Sequence, residues 1–133
     1  MSKFEPNQFS VNEAWIVFQL SDAPVITEEN GDFHILGLMD AADGYMLGTE
    51  FVSVSTSEAS QFQAKHLLKS GQNKSNPLPS QLIIQDKVGA GAFIHEAKVL
   101  GVEIVHAASD EIWPIIGEAV EGFRQHISTG HMQ

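Results

Sequence analysis

The chain has 133 residues, no cysteine, and 7 Lys and Arg against 17 Asp and Glu, for a formal net charge of −10. This length suits one domain with its own hydrophobic core, and 43% apolar against 18% charged residues argues against disorder. Zero cysteine removes disulfides, zinc–thiolate sites and cysteine nucleophiles, and the acid excess opposes phosphate-dominated nucleic-acid binding, which needs clustered Lys and Arg.

The first residues, 1–13, are mixed and polar, with no basic stretch followed by an apolar core. They do not read as a signal peptide, and no later apolar run reaches membrane-spanning length. The expectation is a cytoplasmic protein without membrane contact, a single domain over 1–133 with its core over about 13–128. Trp15 to Leu20 is an apolar, aromatic and β-branched run and predicts a buried strand. Asn30-Gly31 marks a turn, Phe33 to Met39 a second strand, and Tyr45 to Val54 a third after a hairpin near Asp40 to Gly44. Ser55 and Glu58 have capping-box spacing and predict a helix start, with Ala59, Phe62, Leu67 and Leu68 as its apolar face and Gly71 as its C-cap. The stretch Ser70 to Ser80 reads as a surface loop. Gln81 to Gln85 is a short strand, and Gly89 to Gly91 lead into a helix over Ala92 to Leu100. Val102 to Ala107 is the fifth strand. In the last helix Ile112, Ile116, Val120, Phe123 and Ile127 recur at helical spacing. Pro114 fits only a first turn, so the regular helix is expected to begin near Trp113 to Ile115. The order is βββαβαβα. It predicts an α/β fold with one mixed five-stranded sheet, three antiparallel strands then two parallel, and helices on both faces.

That order, with the local text, resembles the ribonuclease H-like superfamily and within it the catalytic cores of retroviral integrases and transposases. Trp15 followed by Phe18-Gln19-Leu20 is similar to their tryptophan-led first strand. Met39 to Tyr45 is similar to the turn between their second and third strands. Pro79 to Asp86 is similar to the fourth, which ends on an aspartate, and Gly101 to His106 to the fifth. The strand order is also that of one half of an actin-like ATPase, but the phosphate loop such a fold needs is absent from this sequence.

The integrase resemblance implies phosphodiester transfer by two divalent metals, about 3.5–4 Å apart and bridged by carboxylates, with Mg²⁺ as the cofactor. The implied catalytic and metal-binding residues are Asp22, Asp86 and Glu121, with Glu118 as the substitute for Glu121. Between Asp86 and Glu121 lie 34 residues, close to the family spacing. Three departures point to a degenerate site. Ser21 occupies the place of the first aspartate, and Asp22 falls one residue later, where an unbroken strand would turn it to the other face. Lys87-Val88 follows Asp86 where the family has Asn-Gly. Ile116-Gly117 stands where Asn-Gly precedes the helix glutamate.

Other candidates carry less. His34 lies in an apolar strand and reads as a hydrogen-bonded or edge histidine. His95-Glu96 has Val99 where a zinc protease needs its second histidine, and His126 and His131 lie near the chain end. Gly89-Ala90-Gly91 precedes a helix and has the makings of an anion cradle, though flexible helix entry explains it as well. Trp113 reads as a staple holding the last helix to the core, with an exposed binding anchor as the alternative. Two functions follow. The first is a non-catalytic binding or scaffold protein, a homo-oligomer and specifically a homodimer through an exposed helix or sheet edge, with nucleic acid disfavoured as a partner. The second is a small Mg²⁺-dependent nuclease or phosphodiester transferase using the carboxylate triad.

Overall fold

The computed structural model describes residues 9–10, 13–21, 25–26, 31–42, 44–55, 58–75, 78–86, 88–89 and 91–130, without the side chains of 73–75 and 126–130. Its elements are β1 (Ala14–Gln19), β2 (Val25–Ile26), β3 (Asp32–Asp40), β4 (Met46–Ser53), α1 (Gln61–Ser75), β5 (Gln81–Gln85), α2 (Gly91–Leu100), β6 (Glu103–Ala107) and α3 (Ser109–Gly130). The five expected strands are present in the expected order, and the two-residue β2 is added to them. Two residues carry no periodicity, so β2 has no signature in the sequence.

β1 runs antiparallel to β3 and parallel to β5, β3 pairs antiparallel with β4, and β5 pairs parallel with β6. β2 pairs antiparallel with the start of β3. β1 is therefore central and buried on both faces, which is why it reads as an unbroken apolar run. Alternation along it feeds two cores. Trp15 and Val17 join Leu36, Leu38, Leu82 and Ile84 under α1 and α2, while Ile16 and Phe18 join Ile35, Met39 and Ile83 under α3.

α1 departs from the sequence expectation at both ends. Its reciprocal capping box is Ser60-x-x-Gln63: Ser60 N donates to Gln63 Oε1 (3.0 Å) and Gln63 N donates to Ser60 Oγ (3.1 Å). Two successive boxes, Ser55/Glu58 and Ser60/Gln63, occur in the sequence, and only the second leads into the apolar face made by Ala64, Leu67 and Leu68. Gly71 does not end the helix. It lies inside α1, where a Cβ would come 2.7 Å from the Trp15 ring and 3.0 Å from Leu38, so its missing side chain lets α1 close onto the sheet. The helix continues to Ser75 through the first half of the stretch expected to be loop.

α3 begins at Ser109, earlier than expected, and carries Pro114 inside it. Glu111 makes the early start possible, because Ala108 N donates to Glu111 Oε1 (2.8 Å) and satisfies an N-terminal donor. Trp113 does not staple this start to the core. It is 42% exposed and lies against Gly117 of its own helix.

Candidate functional site: a neutral polar joint and an open hollow

In this sheet the C-terminal ends of β1 and β5 lie side by side, and α3 starts next to them. Those are the three elements on which the sequence places the carboxylates. Gln85, the last residue of β5, is 3% exposed. Its Oε1 accepts from Gln19 N (2.7 Å), and its Nε2 donates to Ser109 Oγ at the first turn of α3 (3.0 Å). One carboxamide thus ties β1, β5 and α3 together. Gln19 Nε2 donates to Ser21 O (2.6 Å), and Ser21 Oγ accepts from Ile35 N (2.9 Å). Leu20 N and Ser21 N both donate to Ile35 O, at 2.7 and 3.4 Å, so two residues of this chain segment face one of β3 in a bulge. Among the described residues, each of these partners is an amide or a hydroxyl.

The predicted acids are placed as follows. Asp22 lies outside the described residues, as do Lys87 and Ala90. Asp86 follows β5, is exposed, and is held through its backbone, N donating to Ala107 O (2.8 Å). Glu118 and Glu121 stand nine and twelve residues after Ser109, about 13 and 18 Å further along the helix axis. Glu121 is ion-paired with Arg124 (3.0 Å), both about half exposed. Metal bridging needs carboxylates a few ångströms apart. The described residues place Asp86 at one end of the sheet and Glu118 toward the other. Among them no group of three His, Asp or Glu gathers as metal ligands. The acids of α3 nearest Asp86 are Asp110 and Glu111, and Glu111 is engaged as a cap.

The remaining candidates are similarly resolved. His34 Nδ1 is buried without a hydrogen-bond partner, so the hydrogen-bonded reading of this ring does not hold for that atom. The glycine entry to α2 already faces an acid: a side chain at Gly89 would overlap Glu58, and one at Gly91 would come 3.4 Å from Glu58 Oε1. His126 lies on α3 with its side chain undescribed, and His131 lies outside the described residues.

Two features lie beyond the sequence expectations. Gln85 ends a strand in the sequence, and a glutamine closing each of two apolar strands (Gln19 and Gln85) is the available signal for its joint. The second is a hollow of about 460 Å³ between α3 and the β3–β4 turn, lined by Met39, Ala42, Met46, Pro114, Ile115 and Glu118 among others. Asp40, 2% exposed, shapes the turn beside it: its Oδ1 accepts from Ala42 N (2.9 Å), and its carbonyl accepts from Gly44 N (3.0 Å). Gly44 closes the turn with φ of 72°.

Among solved structures, the chain is similar to retroviral integrase cores. Its whole length matches 46% of a chain of the simian T-cell lymphotropic virus intasome in complex with PP2A regulatory subunit B56 gamma, with a TM-score of 0.58 and 10% identity. It likewise matches 80% of the HTLV-2 integrase catalytic core domain in complex with magnesium (dimeric form), with a TM-score of 0.54 and 6% identity. The chain spans less than half the length of the first of these. At such identities the likeness establishes the fold alone, the ribonuclease H-like fold of an integrase core. No family model matches the chain, and no curated protein matches it in sequence.

Proposed function

We propose that this chain is a non-catalytic binding or scaffold module built on an integrase-core-like fold. The observation that carries the reading is the Gln85 joint. Where β1, β5 and α3 meet, a buried carboxamide bonds to a backbone amide and a serine hydroxyl, and these neutral groups satisfy one another. A two-metal centre needs anionic oxygens there, because divalent cations of this type are held by carboxylates. The net charge of −10 also supports the reading, since it opposes a phosphate-rich substrate.

A thermal melt with and without millimolar Mg²⁺ or Mn²⁺, run beside cleavage assays on labelled DNA and RNA, tests it. A metal bound natively at 100-fold over its Kd adds about 2.7 kcal/mol of stability, which raises Tm by several degrees. The expected result is no such shift and no cleavage. A shift abolished by Asp86→Asn, together with cleavage, overturns the reading in favour of the Mg²⁺-dependent nuclease using Asp22, Asp86 and Glu121.

A further inference from the structure

Where α1 and α2 lie side by side, their outer surface carries an open hollow of about 340 Å³, lined by Gln61, Phe62 and Lys65 of α1 and by Glu96 of α2. Glu96 is 5% exposed, so the packing of the helices buries a carboxylate. Among the described residues it makes no hydrogen bond and no ion pair. A buried charge without a partner is costly, because nothing replaces the water it gives up. A glutamine would fill the same space without that cost, so the charge itself needs an account.

Lys65 does not supply the missing partner. It is exposed and lines the same hollow, yet it does not pair with Glu96. Two opposite charges thus border one space and stand apart. Phe62, 78% exposed, adds an aromatic wall beside them. Its ring is held in place: the His66 ring stacks on it (centroids 6.4 Å, 11° between planes), and His66 Nδ1 lies 2.9 Å from Glu50 Oε1. A ring braced in this way loses little rotamer freedom when a ligand docks on it. The volume falls at the lower end of the range for small-molecule sites.

We propose that this hollow binds a small zwitterion of the α-amino-acid class with an apolar side chain, its ammonium on Glu96, its carboxylate on Lys65 and its side chain against Phe62. The lining selects this chemistry. A ligand ammonium answers the buried carboxylate and is also attracted by an aromatic face. A ligand carboxylate answers Lys65, and Phe62 favours an apolar group between or beside the two charges. A divalent metal does not suit the hollow, since such ions take about six oxygens and the lining offers the Glu96 carboxylate and the Gln61 amide. A polyanion such as a nucleotide is repelled by Glu96. The proposal goes beyond the non-catalytic reading and uses no residue of the Gln85 joint, so the metal and cleavage assays leave it untouched.

The test is isothermal titration calorimetry of the full chain with millimolar L-phenylalanine and L-leucine. Saturable 1:1 binding is expected. N-acetyl-L-phenylalanine lacks the ammonium and L-phenylalaninamide lacks the carboxylate, and each should bind about tenfold more weakly or worse. Glu96→Gln should weaken the zwitterion by a similar factor and leave the N-acetyl acid unchanged. Lys65→Ala should weaken the zwitterion and leave the amide unchanged, whereas Phe62→Ala should weaken every ligand. Lys65 and Phe62 are exposed and Glu96→Gln keeps the volume, so all three variants should keep the wild-type far-ultraviolet circular dichroism. A wild type that binds neither amino acid at millimolar concentration overturns the proposal. So does binding that Glu96→Gln leaves intact. A double-mutant cycle in urea unfolding that finds Lys65 and Glu96 strongly coupled in the free protein would make each the other's partner, and also overturn it.

Discussion

The two faces of the sheet are built to different standards of closure. Under α1 and α2 the packing is tight: Gly71 admits the Trp15 ring, and a Cβ at Gly48 of β4 would come 2.9 Å from Ser70 of α1. Two helices roof that side. Among the described residues the other side has one helix, α3, whose Ile112, Ile115, Ile116 and Val120 join Phe9 and Val25 in covering Phe18, Ile16 and Ile83 and leave the region beside the β3–β4 turn as an open hollow. One helix is too narrow to cover the sheet, since helix packing distances are 8–10 Å and strands are spaced about 4.8 Å apart. The face under α1 and α2 is the closed one, and the α3 face is open beside the β3–β4 turn.

That contrast predicts a graded series of effects. Trp15→Ala opens the tighter core and should cost about 3–5 kcal/mol in urea unfolding; a loss below about 1 kcal/mol would mean the two faces are equally loose. Gly71→Val should cost about 1–3 kcal/mol or more, because the added methyls meet an aromatic ring confined by Leu38. Gln85→Leu keeps the volume but strands Gln19 N and Ser109 Oγ, with an expected loss of about 1–3 kcal/mol. Gln85→Glu sharpens the point. It restores an acceptor for Gln19 N but buries a charge, so this variant should be less stable at neutral pH than in acid. Ser60→Ala removes one half of the α1 cap and should cost about 1 kcal/mol. Glu118→Lys, on the rim of the open face, should move stability by less than about 0.5 kcal/mol.

Much of this architecture is written locally. β5 matches its expected bounds, Gln81 to Gln85, because an apolar run lies between Pro79 and Asp86 and no competing signal interrupts it. α1 was harder. Ser55/Glu58 and Ser60/Gln63 offer the same spacing, and Gly71 imitates a stop signal when its actual role is set by a tryptophan 56 residues earlier in the chain. The start of α3 was masked by Pro114, whose constraint on a helix interior was outweighed by the Glu111 cap and a buried isoleucine face. The site was less legible than the fold. Carboxylate spacing along the chain indicated Asp86 with Glu118 or Glu121, but rise along α3 carries those glutamates away from the β5 end. The Gln85 joint spans 66 residues to Gln19 and 24 to Ser109, and no local pattern encodes contacts at such separations.

The joint also has a mechanical meaning for α3. The helix is tied to β5 where it begins, by Gln85 to Ser109, is capped there by Glu111 at Ala108, and lines the hollow from Pro114 to Ala119. Its buried Ile112, Ile115, Ile116 and Val120 then hold it to the sheet alongside the hollow. Amide hydrogen exchange should therefore be slow from Ile112 to Val120 and quicken toward the far end of α3, so the α3 wall of the hollow is its stiff side.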